Sequence, residues 1–171
     1  LGGTCLNRGC IPSKMFIHPA NQLKQARELH KYFINHTGEF EVDFMNLANH
    51  ITDEITTDSV GIGKGYEQIE TLDLYRGAAS FVDDHTVLVN GEELTAPLII
   101  IATGSRPSIP PIPGLAGTPF MTSREALRPE KLPKRLLVIG GGYIASELGH
   151  AYRQLGSETI FFVRDIYLAR E

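Results

Sequence analysis

The sequence predicts an α/β protein assembled from strand, turn and helix units. Three observations carry that expectation. Residues 136–147 read Leu-Leu-Val-Ile-Gly-Gly-Gly-Tyr-Ile-Ala-Ser-Glu, an apolar strand-like stretch, a glycine turn and the opening of a helix. Leu98 to Ala102 is an uninterrupted apolar run of the kind buried in parallel sheets, and it ends in Thr103-Gly104. Two long segments nearer the N-terminus repeat apolar residues at helical spacing. The 171 residues suffice for one good core or two partial ones, and 42% apolar with 21% charged residues is ordinary for a globular chain. A net charge of −4 argues against nucleic acid as the main partner. No apolar stretch reaches membrane-spanning length and no signal-peptide pattern is present, so no membrane role is expected.

In chain order, the first element is Cys5-Leu6-Asn7-Arg8-Gly9-Cys10-Ile11-Pro12-Ser13-Lys14, which holds both cysteines. It reads as a loop passing into a helix that starts between Gly9 and Pro12, where proline's missing N–H costs nothing. Such a helix end aims free N–H groups and the positive end of its dipole at sulfur, favouring thiolate. Lys14 adds a cation within one turn of Cys10. A bridge between Cys5 and Cys10 closes so small a ring that it stabilises a fold comparatively little, which makes a redox role the first reading. Two reduced core cysteines, or half of a metal site completed by some of the six histidines, are the alternatives. Two cysteines in a catalytic-looking motif fit a reducing cytoplasm.

Ile11 to Ile34 is expected to be one long helix, disturbed at Pro19, with Met15, Leu23, Ala26, Leu29 and Phe33 apolar. Asp43 suits the N-cap of a second helix to about Ile62, with Phe44, Leu47, Ala48, Ile51 and Ile55 on one face. Gly61-Ile62-Gly63-Lys64-Gly65 follows no strand and reads as a flexible helix end rather than a phosphate loop. Glu70 to Arg76 and Phe81 to Asn90 are expected strands, with Asn90-Gly91 a tight turn into a third at Glu92 to Leu94. His18, His30, His36, His50, His85 and His150 are scattered and read as surface or packing residues. After Gly104, the proline-rich stretch from Pro107 to Gly114 is stiff and suits a passage between domains.

Then comes the glycine turn. Gly140 permits a tight bend, Gly142 lets a pyrophosphate approach the backbone, and Ala145 allows close packing of helix on strand, the pattern of a dinucleotide fingerprint. The helix continues with Leu148, Ala151, Tyr152 and Leu155 on one face, ends at Gly156, and is followed by a second strand from Thr159 to Val163. An NAD site normally places an acidic residue at that strand's end, roughly 20 residues past the glycines, to accept from the ribose 2′-hydroxyl. Arg164 stands there, and Arg170 follows. Guanidinium groups suit a 2′-phosphate, so NADPH is favoured over NADH, although Asp165 serves as the acidic residue if the strand ends one position later.

Three segments together resemble the flavoprotein disulfide reductases, the class I pyridine nucleotide-disulfide oxidoreductases, which include dihydrolipoamide dehydrogenase and the glutathione, mycothione and mercuric reductases. They are Gly2-Gly3-Thr4-Cys5 through Lys14, Ile99 through Pro107, and Leu136 through Glu147, in the family's order. The resemblance implies Rossmann-like, three-layer FAD- and NAD(P)-binding domains, incomplete at both ends: residues 1–118 as part of the FAD domain and 119–171 as the start of the NAD(P) domain. It implies FAD contacts at Gly3, Thr4, Lys14, Thr103 and Gly104, and nicotinamide-nucleotide contacts at Gly140, Gly142, Tyr143, Ile144, Arg164 and Arg170. It makes Cys10 the flavin-facing thiolate and Cys5 the interchange thiol. Lys14 would sit at the flavin edge, paired with Glu147 and buried with it. Tyr143 would cover the flavin.

The same likeness implies a homodimer, a small-molecule or lipoyl disulfide substrate, and a general-base histidine in the partner subunit's interface domain that nothing in 1–171 matches. Because it opens inside the motif without a methionine and stops just after the second strand of a dinucleotide unit, the chain reads as an excerpt, and the missing base makes it inactive alone. A metal-ion reductase, another flavin-linked oxidoreductase and a non-catalytic dinucleotide-binding module remain alternatives.

Overall fold

The computed structural model describes residues 1–164. The elements in order are α1 (Gly3–Arg8), α2 (Cys10–Arg27), α3 (Phe44–Glu67), β1 (Ala79–Phe81), β2 (Thr86–Val89), β3 (Glu92–Thr95), α4 (Ser123–Ala126), β4 (Arg135–Ile139), α5 (Tyr143–Leu155) and β5 (Glu158–Phe162). The α/β class is what the sequence predicts. By packing, the chain divides into two units: Val60–Arg106 with Leu1, and Gly2–Ser59 together with the chain from Pro107 onward. This division follows contacts.

In the larger unit, β4 and β5 pair in parallel, with Arg135 opposite Glu158 and Ile139 opposite Phe162. Helix α5 connects them, so this is a strand–helix–strand crossover of the Rossmann type. Gly156 ends α5 at φ 120°, a conformation that glycine adopts without strain, and β5 begins two residues later. The core is small and aromatic. Phe16 of α2 meets Phe44 edge-on at 6.1 Å and Tyr152 of α5 at 5.1 Å between ring centroids. Phe16, Tyr152, Ile51, Ile55 and Ala20 are all wholly buried. Burial pushes the Tyr152 phenol well above its ordinary value, and its hydroxyl is satisfied by donating to the Ala126 carbonyl at 2.9 Å.

Helix α3 buries Phe44, Ala48, Ile51 and Ile55 as their spacing predicts, and the Asp43 carboxylate accepts from the Asn46 N–H at 3.1 Å, capping the helix. The helix does not stop at Ile62. It continues through Gly61, Gly63 and Gly65 to Glu67, because Arg76 lies against Gly63 and binds the Glu67 carboxylate at 2.9 Å, clamping the last turn. A Cβ on Gly63 would come within 2.8 Å of the Arg76 guanidinium, so that side chain rests directly on the glycine.

Helix α2 contains Pro19 and stops at Arg27 rather than Ile34. A short 3-10 turn at Leu29–Tyr32 follows, and Phe33 takes φ 61°, which reverses the chain and leaves that ring 94% exposed. The buried face of α2 is Pro12, Ser13, Phe16, Ala20 and Leu23.

In the smaller unit, β1, β2 and β3 form an antiparallel meander, and Asn90-Gly91 is the tight turn between β2 and β3, with φ 53° and 85°. Glu70 to Arg76 is not a strand. Its neighbourhood spends its backbone groups on turns, Ile69 N–H to Tyr66 and Leu72 N–H to Ile69, while Asn90 takes the Arg76 carbonyl. The expected strand from Phe81 to Asn90 is split by a turn at 82–85, where Asp83 accepts from the His85 N–H at 2.8 Å. Leu98 to Ala102 is likewise not a strand. No ladder pairs with it among the described residues, and Leu98, Ile100 and Ile101 are 76%, 80% and 68% exposed.

Among the described residues, no helix is long and apolar enough to cross a membrane.

Candidate active site

The cysteine segment is two helices meeting at a glycine, where the sequence reads as a loop entering one helix. Cys5 lies inside α1 and Cys10 opens α2. Gly2 and Gly3, at φ 103° and 62°, start α1, and the Asn7 side chain closes it by donating to the Gly3 carbonyl at 2.9 Å. Gly9 makes the junction: a Cβ there would lie 3.0 Å from the Thr4 carbonyl oxygen, too tight for ordinary packing. That close approach folds α1 back on the start of α2. Sequence reasoning missed it because Gly9 has no unusual neighbours in the chain. Arg128 reaches the Asn7 carbonyl at 3.4 Å and braces the end of α1.

The fold brings both sulfurs together as free, exposed thiols. The Cys5 thiol is held above its ordinary value, first by its hydrogen bond with Cys10, then by desolvation and by the charge of Cys10. The N–H groups of Cys10 and Ile11, at the start of α2, pull the other way and lose. The expected thiolate-favouring helix end is therefore present at Cys5 but outweighed by the neighbouring sulfur.

One turn beyond Cys10, the Lys14 ammonium donates to Oε1 of Glu147 on α5 at 2.8 Å. These two residues stand 133 positions apart, and the packing of α2 on α5 brings them together. Their expected burial is corrected: the side chains are 65% and 41% exposed, since nothing in the described chain covers them. An ion pair so placed contributes little to stability and matters for where it puts the charge.

The glycine turn ahead of α5 has the geometry of a backbone cradle. Gly140, at φ 123°, makes the bend and donates its N–H to the Phe162 carbonyl at 2.9 Å, prolonging the β4–β5 pairing. Gly142 is extended, at φ −78° and ψ 179°, which any residue can adopt. Among the described residues, no atom lies within 4 Å of a Cβ built at either glycine, which leaves open space beside the turn. The first-turn N–H groups of α5 lack intrahelical acceptors and suit a phosphate there. Tyr143 and Ile144 are 63% and 46% exposed beside it.

Helix α5 also approaches β5 closely at Gly149, which is buried with the Phe161 ring seated against it. Arg164 lies exposed past β5, and Arg170 and Asp165 lie outside the described residues. In the other unit, Gly104 has φ 73° and open space around it, the backbone freedom that a close ligand contact needs, with Thr103 exposed beside it.

The described chain thus sets two thiols where α1 meets α2, an ion pair one turn away, and a glycine turn between the strand and helix of a parallel crossover. The chain belongs to the pyridine nucleotide-disulphide oxidoreductase family, whose pattern it matches over residues 1–170. It is 39% identical over 174 residues to a mercuric reductase of Lysinibacillus sphaericus, spanning 100% of this chain and 31% of that protein. It is 34% identical over 177 residues to a mycothione reductase of Mycobacterium tuberculosis, covering 99% of this chain and 38% of that one. Its fold superposes on the HOCl-induced flavoprotein disulfide reductase RclA from Escherichia coli, solved as a Cu(II) complex, with a TM-score of 0.82 at 28% identity, over 99% of this chain and 35% of that one. The chain thus spans about a third of the length of these relatives.

Proposed function

We propose that this chain is the dithiol-bearing part of an FAD-dependent, NADPH-linked reductase that acts on a small-molecule or lipoyl disulfide. Residues 1–118 belong to its FAD domain and the remainder opens its NADP domain. The observation that carries the reading is the Cys5–Cys10 thiol contact, formed where the first N–H groups of α2 reach the Cys5 sulfur.

Gly3, Thr4, Lys14, Thr103 and Gly104 would hold FAD, and Gly140, Gly142, Tyr143, Ile144, Arg164 and Arg170 the nicotinamide nucleotide. When bound, FAD supplies two-electron transfer between a nicotinamide and the sulfur pair. The chain's own residues do the rest. Cys5, as thiolate, attacks one sulfur of the substrate disulfide and releases the other as a thiolate that takes up a proton. Cys10 then attacks the Cys5 sulfur of the mixed disulfide, releasing the second substrate thiol and leaving the Cys5–Cys10 bridge. Lys14 places a fixed cation where negative charge develops, and Glu147 holds it there. The proton acceptor, a histidine supplied by the partner subunit of a cytoplasmic homodimer, belongs to the same proposal.

A soft metal ion as acceptor is the second reading, favoured by the relatives that are mercuric reductases at 35–39% identity. No group of three or more metal-binding side chains exists among the described residues, so such an ion would be held as substrate by the two thiolates.

The test is the full-length protein, purified with its yellow cofactor and assayed with NADPH and NADH against lipoamide, glutathione-like and mycothiol-like disulfides and mercuric ion. Disulfide turnover that Cys5→Ser and Cys10→Ser each lower by on the order of a thousandfold or more, while reduction of the flavin by NADPH persists, is the expected result. Turnover with mercuric ion alone favours the second reading. A colourless protein without NAD(P)H oxidation overturns both.

A further inference from the structure

Helices α2 and α5 are tied at three points in the same order along both. Lys14 meets Glu147 at 2.8 Å, Asn21 meets His150 at 3.0 Å, and the Arg27 guanidinium donates to the Gln154 carbonyl at 2.7 Å. The outer two are exposed, while the middle one, between the imidazole Nε2 and Oδ1 of Asn21, is partly buried. The packed rings set how near the helices lie. A directional hydrogen bond between half-buried groups sets how far one slides along the other, which a pair of rings does poorly.

That register matters because Lys14 has two possible anionic partners. Glu147 is one. The other is the Cys10 sulfur, once ionised, which lies four residues earlier on the same face of α2. An exposed ion pair of this kind is weak by itself, too weak to keep the ammonium from a neighbouring thiolate unless the helices present Glu147 in the right place.

We propose that His150 and Asn21 are a positioning pair that fixes α5 against α2 so that Lys14 stays on Glu147 instead of swinging to Cys10. This rests on the dithiol role proposed above. It gives His150 a part in the redox site without contact to any reacting atom, and it links the helix that follows the glycine cradle to the helix that carries the thiol.

The experiment is alkylation of the reduced full-length protein with iodoacetamide at neutral pH, following Cys10 by peptide mass spectrometry. It needs neither turnover nor nucleotide, so it is separable from failure of the proposed function. His150→Ala should raise the Cys10 alkylation rate by about three- to tenfold, because the released ammonium favours the thiolate. His150→Gln, which still offers an N–H to Asn21, should stay near the native rate. Lys14→Met combined with His150→Ala should abolish the rise. Asn21→Ala breaks the bond from the other side and should match His150→Ala, which keeps the test available if one variant fails to fold. An unchanged or slower rate in both alanine variants, or a rise that persists without Lys14, overturns the proposal, since mere loosening of the helices would not depend on that ammonium.

Discussion

Two stretches of this chain carry the same signal, an apolar run closed by a glycine turn, and fold differently. Residues 135–142 form β4 and a cradle, whereas 98–104 form no strand. Local composition does not separate them. The difference is company: β4 has β5 alongside it in parallel and is followed directly by the crossover helix α5, while Leu98–Ile101 has no ladder partner among the described residues and stands open to solvent. A parallel strand is thus a property of its neighbours as much as of its residues, because its hydrogen bonds come from segments distant in sequence.

The comparison is sharpest when broken from its well-packed side. Tyr152→Ala removes the wholly buried ring at the junction of α2, α3 and α5 and should cost about 3–5 kcal/mol, measured by urea unfolding. For the open side, Ile100→Asp should leave the stability of the 171-residue chain within about 0.5 kcal/mol, because that side chain is 80% exposed. In the full-length protein, where we expect 98–102 to find its sheet, the same change should cost ~3 kcal/mol or more. Equal small effects in both would show that the segment is never a buried strand.

Glycines divide in the same way. Gly149→Ala drives a methyl into Phe161 and should destabilise by about 1–3 kcal/mol without acting on the cradle directly. Gly142→Ala meets open space, so it should unfold normally yet weaken nicotinamide-nucleotide affinity, read by titration calorimetry on the full-length protein.

How much of this was legible in the sequence follows from how local each cause is. Phe44, Ala48, Ile51 and Ile55 announce a buried helical face, and Asn90-Gly91 announces a hairpin, because spacing and φ preference are local. The Lys14–Glu147 pairing was legible only through resemblance to a family, since 133 residues intervene. Cys5 inside a helix was not legible, because the cause is a Gly9 that lets Thr4 approach. Nor was the passage of α3 through three glycines, which depends on Arg76 reaching back from beyond the helix end to Glu67. Gly149 escaped for the same reason: only the fold reveals that Phe161 faces it.

A modest effect is expected at α4, where Thr122 and Glu125 form a reciprocal cap. The hydrogen bond from Thr122 holds the Glu125 carboxyl below its ordinary range. A depressed folded value means the cap's contribution is in place above the ordinary carboxylate range and is lost as pH falls through the lowered value. Thr122→Ala should cost about 1 kcal/mol at neutral pH, shrinking in acid, followed by urea unfolding across that range.

The central claim is that Cys5 and Cys10 exchange electrons with a nicotinamide through a bound flavin. Its most direct measurement is thiol labelling of the air-oxidised full-length protein before and after one equivalent of NADPH under anaerobic conditions. Cys5 and Cys10 should both be unlabelled beforehand and both labelled afterwards. Labelling of either cysteine before NADPH is added, or no change on its addition, would contradict it.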